Sequence, residues 1–144
     1  MTSSTIILKI QELIEPYACI YRVESSYGFA EIIPLVDGLD CSYIEFLAAA
    51  KSIDAHQAQT LLSAILHQTL AYHAVIMPIE QARSLAHEFL SSLDEPVKFY
   101  SNCFCDDDVS GVGSWNPVTD STFEALLYCE TTNNSILFFA VDED

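Results

Sequence analysis

Positive charge is what this sequence has least of: 5 Lys and Arg stand against 21 Asp and Glu, a formal net charge of −16 at pH 7 with histidine neutral. Nucleic acid and anionic membrane are thereby disfavoured as partners, because both would be repelled. No apolar run approaches the roughly 20 residues that span a bilayer. The opening MTSSTIILKIQELIEPY carries a charge inside its short apolar stretch and lacks a cleavage-type segment, so no secretory signal is expected. Five cysteines at irregular spacing (Cys19, Cys41, Cys103, Cys105 and Cys129) do not make a disulfide framework. Reduced thiols in a cytosolic setting are the expectation. Internal repeats and low-complexity tracts are missing as well.

What is there is a folding sequence. With 51% hydrophobic and 18% charged residues, 144 residues suffice for one domain, 1–144, with a proper core. The acids are unevenly placed. Residues 1–100 hold 12 acids and 5 bases, a net of −7, whereas residues 101–144 hold 9 acids and no base, a net of −9. Crowded carboxylates oppose compaction, a standing cost that a cationic partner would relieve. Keeping a small protein soluble is the plainer use of the same charge.

Residues 3–15 read as a helix, with Ser3 and Ser4 as candidate caps, apolar positions from Ile6 to Ile14 at helical spacing, and Pro16 as its stop. Residues 18–24 and 28–36 read as two strands joined by a turn at Ser25–Gly28, Pro34 putting the second one at an edge. A short helix over 42–51 is capped by Ser42. A longer one runs from its cap Asp54 to about Ile76, and a third from Pro78 to Leu93. Val97–Phe104 is strand-like, and Phe123–Cys129 and Ile136–Val141 form a hairpin turned at Thr131–Asn134. These elements predict an α+β domain, an antiparallel sheet with helices packed on one face.

Catalytic patterns are absent. His56, His67, His73 and His87 all fall in predicted helices, without HExxH, HxH or Cys-His metal spacing. Cys103 and Cys105 would share one face of a strand ahead of Asp106, Asp107 and Asp108, but thiolates suit zinc and aspartate runs suit calcium or magnesium. Two inward core residues and a solvated loop explain the same letters. The aspartates lack the calcium-loop pattern, Gly111-Val-Gly113 does not extend to a nucleotide fingerprint, and no GxSxG occurs. Neither an enzyme nor any cofactor or metal is expected. What remains is surface chemistry: Asp106, Asp107, Asp108, Asp120 and Glu124 around Trp115, carboxylates about an aromatic anchor, suited to a basic protein. The competing reading of Trp115 is a core residue plugging the sheet end.

The stretch Gly113-Ser-Trp-Asn-Pro-Val-Thr-Asp-Ser-Thr-Phe-Glu124, followed by two strands and an acidic Val-Asp-Glu-Asp, resembles the C-terminal part of small bacterial immunity proteins encoded beside polymorphic toxins. There a W-x-P-[LV]-T-x-x-T-F-[DE] segment precedes a closing hairpin. The resemblance covers residues 113–144 only. It implies a cytosolic antitoxin that occludes one cognate toxin domain, basic and in many such systems a nuclease, its carboxylates standing in for phosphate. Within the motif, Pro117 would fix a turn, Thr119 and Thr122 would cap, and Phe123 would enter the core. Two rivals are a small acidic chaperone or adaptor for a secreted effector, and a hydrolase or metal-dependent enzyme using the cysteines and aspartates.

Overall fold

Two uninterrupted apolar runs, Ala125–Cys129 and Ile136–Val141, form the middle of the sheet, in β6 (Phe123–Glu130) and β7 (Ser135–Asp142). In the computed structural model, which describes residues 3–15, 17–25, 28–36, 42–104, 114–119 and 121–143, they pair antiparallel with Tyr128 opposite Leu137. The expected turn joins them. Thr131 Oγ1 accepts from the Asn133 and Asn134 amides, and Thr131 N donates to the Asn134 carbonyl at 2.8 Å. Outside them lie β1 (Ala18–Val23) on β7, then β3 (Lys98–Ser101) on β6, then β2 (Lys51–Ile53), all antiparallel, in the order β1-β7-β6-β3-β2.

The α+β architecture with an antiparallel sheet is as expected, and the three long helices share one face. Helix α1 (Ser3–Ile14), α4 (Ala55–His67) and α5 (Ile79–Ser91) present Ile6, Ile10, Leu62, Leu66, Leu85 and Phe89 to Leu127, Cys129, Ile136 and Phe138. Phe89 meets Phe138 edge-on at 4.9 Å. The second face is covered too. There α2 (Phe29–Ile32), a 3-10 turn at Ile33–Leu35 and α3 (Tyr43–Ala49) bury Phe29, Ile32, Val36 and Phe46 on Leu126, Tyr128, Leu137 and Phe139. Phe29 and Phe46 stack at 4.7 Å, and both set an edge against Tyr128. A strand buried on both sides has no reason to alternate, which is why these two runs are continuous.

The strand expected over 28–36 is helical instead. Its buried positions 29, 32 and 36 follow helical spacing with exposed Ala30, Glu31 and Pro34 between, and Pro34 could not donate to a ladder. Gly28 opens the segment and must be glycine for space. Its amide donates to Ser135 Oγ at 3.1 Å, and a Cβ there would stand 2.0 Å from Val23 Cγ2. Ser135 Oγ also donates to the Ser25 carbonyl and accepts from Tyr128 O–H, so one buried hydroxyl ties three segments together.

Capping chemistry behaves as expected at Ser42 and Asp54. Both form reciprocal capping boxes, with Glu45 and Gln57 respectively. The helix begun at Asp54 ends at His67, short of Ile76. Beyond Leu66 its stripe would gain little burial, since Tyr72 and Val75 are 71% and 65% exposed. The chain turns back instead. Gln68 bridges Val75, Thr69 N donates to Ala74 O at 2.9 Å, and His67 Nδ1 donates to Met77 O at 2.7 Å. His73 therefore sits in a turn, with a left-handed φ of 52°, and not on a helix. Lys51–Ile53, expected partly as helix and partly as connection, is the short edge strand β2. Pro16, Ser26, Tyr27, Cys41 and Cys105 lie outside the described residues.

Candidate functional site

At Asn102 the strand expected over 97–104 divides. Ser101 still pairs with Leu127 in β6, whereas Cys103–Phe104 (β4) pairs with Ser114–Trp115 (β5) in a separate two-stranded ladder, Cys103 opposite Trp115. Asn102 is fully buried and both ends of its amide are used. Nδ2 donates to Asn116 O at 2.9 Å and to Glu124 Oε2 at 2.8 Å, and Oδ1 accepts from Leu126 N at 3.1 Å.

Glu124 is the centre of this network. It was expected on the partner-facing surface, and that expectation is corrected: its exposure is 0%. Oε2 accepts from Asn102 and from Val118 N at 2.9 Å, and Oε1 accepts from Thr119 N and Thr119 Oγ1, each at 2.9 Å. Four donors on an acceptor-only group are what makes burial of a carboxylate tolerable. The clamp extends on both sides. Ser101 Oγ donates to Leu126 O and accepts from Cys103 N, and Asn116 Nδ2 reaches Ala49 O at the end of α3 at 2.8 Å. These bonds fix the backbone around Ser101–Cys103 and Asn116–Thr119.

Trp115 is half-buried. It packs on the core under α1, α4 and α5 and tilts against Phe123 at 5.6 Å, so part of its ring stays on the surface. Thr119 closes a side-chain turn ahead of β6, where no helix begins, its Oγ1 accepting from Ser121 N at 3.1 Å. Thr122 bonds the Glu143 carboxylate through both its amide and its hydroxyl. Asp106, Asp107, Asp108 and Asp120 lie outside the described residues, as do Gly111 and Gly113. Of the six expected partner-facing residues, Trp115 is thus partly buried against the core, Glu124 lies in the interior, and the four aspartates lie outside the described residues.

Three cysteines fall among the described residues. Cys103 and Cys129 are buried, Cys19 is partly exposed, and burial pushes the Cys129 thiol far above its ordinary range, away from the reactive thiolate. Among the described residues no three His, Cys, Asp or Glu side chains are grouped to hold a metal ion. A polar groove of about 290 Å³ between α4 and α5 is lined by His56, Gln59, Thr60, Ser63 and Arg83. The Thr60 and Ser63 hydroxyls there donate to carbonyls of their own helix. A second groove, of about 250 Å³, lies between Tyr17, the 68–76 turn and the end of β7.

Asn102 and Ser101 carried no distinguishing sequence signal, being single polar letters in a strand-like run. The groove beside Tyr17 depends on α4 ending at His67, which the apolar letters Leu70, Ala71, Val75 and Ile76 beyond it concealed. Among the described residues no helix is long and apolar enough to cross a membrane. No protein-family model, curated protein or solved structure matches the chain.

Proposed function

We propose that this chain is a binding protein that neutralises a basic partner domain by occlusion, an immunity protein for a cognate toxin. The observation that carries the reading is electrostatic: a net charge of −16, with all 44 residues from Ser101 onward free of Lys and Arg. Such a field draws in a cationic surface and repels nucleic acid, and carboxylates seated in a basic groove replace phosphate there. The partly exposed Trp115 supports it, because an aromatic ring supplies the apolar contact that charge alone lacks. The Glu124 clamp also supports it, since backbone held at Asn102, Val118 and Thr119 does not have to order itself on binding. The motif over Gly113–Glu124 adds its resemblance to immunity proteins of toxin systems.

The test is rescue. The gene beside this one is expected to encode a protein with a toxic basic domain, and co-expression of this chain should restore growth. Association of the two purified proteins should slow steeply with added salt. Changing Asp106, Asp107 and Asp108 together to Lys should slow association further. Unchanged binding by that variant would remove the acidic segment from the interface, and failure to rescue any neighbouring toxin would sink the reading. The groove beside Tyr17 is the one observation that favours the chaperone or adaptor alternative. That reading calls for a homodimer, so a monomer by light scattering counts against it.

A further inference from the structure

We propose that the groove between Tyr17, the 68–76 turn and the end of β7 is a docking site for an apolar side chain carried on a cationic protein segment. This rests on the reading above that the partner is a basic protein, and it names a second point of contact, apart from the Trp115 region. The groove holds about 250 Å³ and is lined by Tyr17, Leu70, Ile76, Ala140, Val141 and Asp142, among others. Tyr17 is 50% exposed and Val141 37%, and the adjoining turn carries Tyr72 and Val75 at 71% and 65%. Tyr17 and Val141, both partly in water at the groove, offer an apolar contact, and tyrosine is enriched where proteins meet.

The surface is built, and not a frayed end. Ala71 N donates to Asp142 Oδ2 at 3.0 Å, which fastens the turn to β7. Thr69 holds Ala74 from both sides, through its amide and through Oγ1. His73 stands in the left-handed region at φ 52°, a conformation a non-glycine residue keeps only where its surroundings enforce it. A groove fixed in this way binds without first having to order itself.

Charge decides the occupant. None of the five bases, Lys9, Arg22, Lys51, Arg83 and Lys98, lines the groove, whereas the carboxylate-bearing Asp142 does. A second copy of this chain would set −16 against −16. A segment with Lys or Arg flanking an apolar residue satisfies both the pocket and its rim.

The experiment uses the full-length isotope-labelled chain and two lysine-rich amidated peptides of equal charge, one with a central leucine pair and one with serines there. The leucine peptide is expected to bind about tenfold more tightly, a difference of ~1.4 kcal/mol. Its amide shifts should centre on Tyr17, Leu70, Ile76 and Val141. Tyr17→Ser and Val141→Thr should each remove most of that preference and leave the melting temperature near that of the parent, because both side chains are already partly in water. Equal affinity of the two peptides overturns the proposal. Leucine-dependent shifts confined to residues 114–124 overturn it as well, yet leave the proposed function standing. Absence of binding by either peptide at low salt removes both. A dimer whose mass is halved by Tyr17→Ser would assign the groove to a second copy.

Discussion

Glu124 reverses role between letter and fold, and its chemistry is open to direct test. In Glu124→Gln one carboxylate oxygen becomes an amide nitrogen that faces backbone or hydroxyl donors, so at least one contact turns repulsive. A loss of about 2–3 kcal/mol in urea-unfolding stability is expected, in line with a broken buried network. A change under about 0.5 kcal/mol, the size of an ordinary surface substitution, would mean that the clamp does not hold the 116–119 segment. Glu130 behaves differently. Partial burial raises its carboxyl above the ordinary value, and Lys98 across the ladder partly offsets this. A carboxyl with a raised folded pKa destabilises the fold in full above that value, and the penalty vanishes as pH falls through the unfolded value near ~4.3. Glu130→Gln should therefore match or slightly exceed the parent in stability at neutral pH, and lose any such advantage in acid. Native-state alkylation with peptide mass mapping should leave Cys103 and Cys129 unmodified, while Cys19 reacts.

Among the elements, the α2 segment depends most on a single position. Gly28→Ala drives a methyl into Val23 and Ser135, so a cost of about 1–3 kcal/mol is expected from overpacking, with loosened contacts of Phe29 on Tyr128 visible in near-ultraviolet circular dichroism. The turn at His73 predicts the opposite sign. His73→Gly relieves a left-handed backbone and should raise stability by up to about 1 kcal/mol, since that conformation costs a side-chain-bearing residue roughly 1–2 kcal/mol. These two positions also mark where the sequence was readable and where it was not. Caps at Ser42 and Asp54 and the Thr131–Asn134 turn are local chemistry, and local chemistry can be read from neighbouring letters. The end of α4 is decided by what the next turn could bury, which neighbours do not record. Residues 28–36 carried the helical spacing of Phe29, Ile32 and Val36, but β-branched letters and a preceding turn signal outweighed it. The two-sided burial of β6 and β7 was present in their unbroken apolar runs; coverage by α2 and α3 is its cause.

For the molecule as a whole, charge sets the behaviour in solution. Like charges repel more strongly in the compact state, and salt screens them over a length that falls from about 30 Å at 0.01 M to about 3 Å at 1 M. The melting temperature should rise with sodium chloride over this range, while association with a cationic partner weakens. A flat melting curve series would show that the acids are too dispersed to act as one field. The acidic C-terminal third was legible from composition alone. The interior placement of one of its acids was not, because composition counts carboxylates without saying which of them meet donors. The sheet order has a consequence for how the protein comes into being. Its inner strands β6 and β7 follow the other described strands in chain order, and β1 pairs only with β7, Ala18 opposite Ala140. Until residue 142 has emerged from the ribosome, the isoleucines of α1 and the leucines of α4 have no completed surface to settle on. The nascent chain therefore carries these helices without the sheet that buries them until β7 is made, when a chaperone would find them and a stalled ribosome would leave them bare.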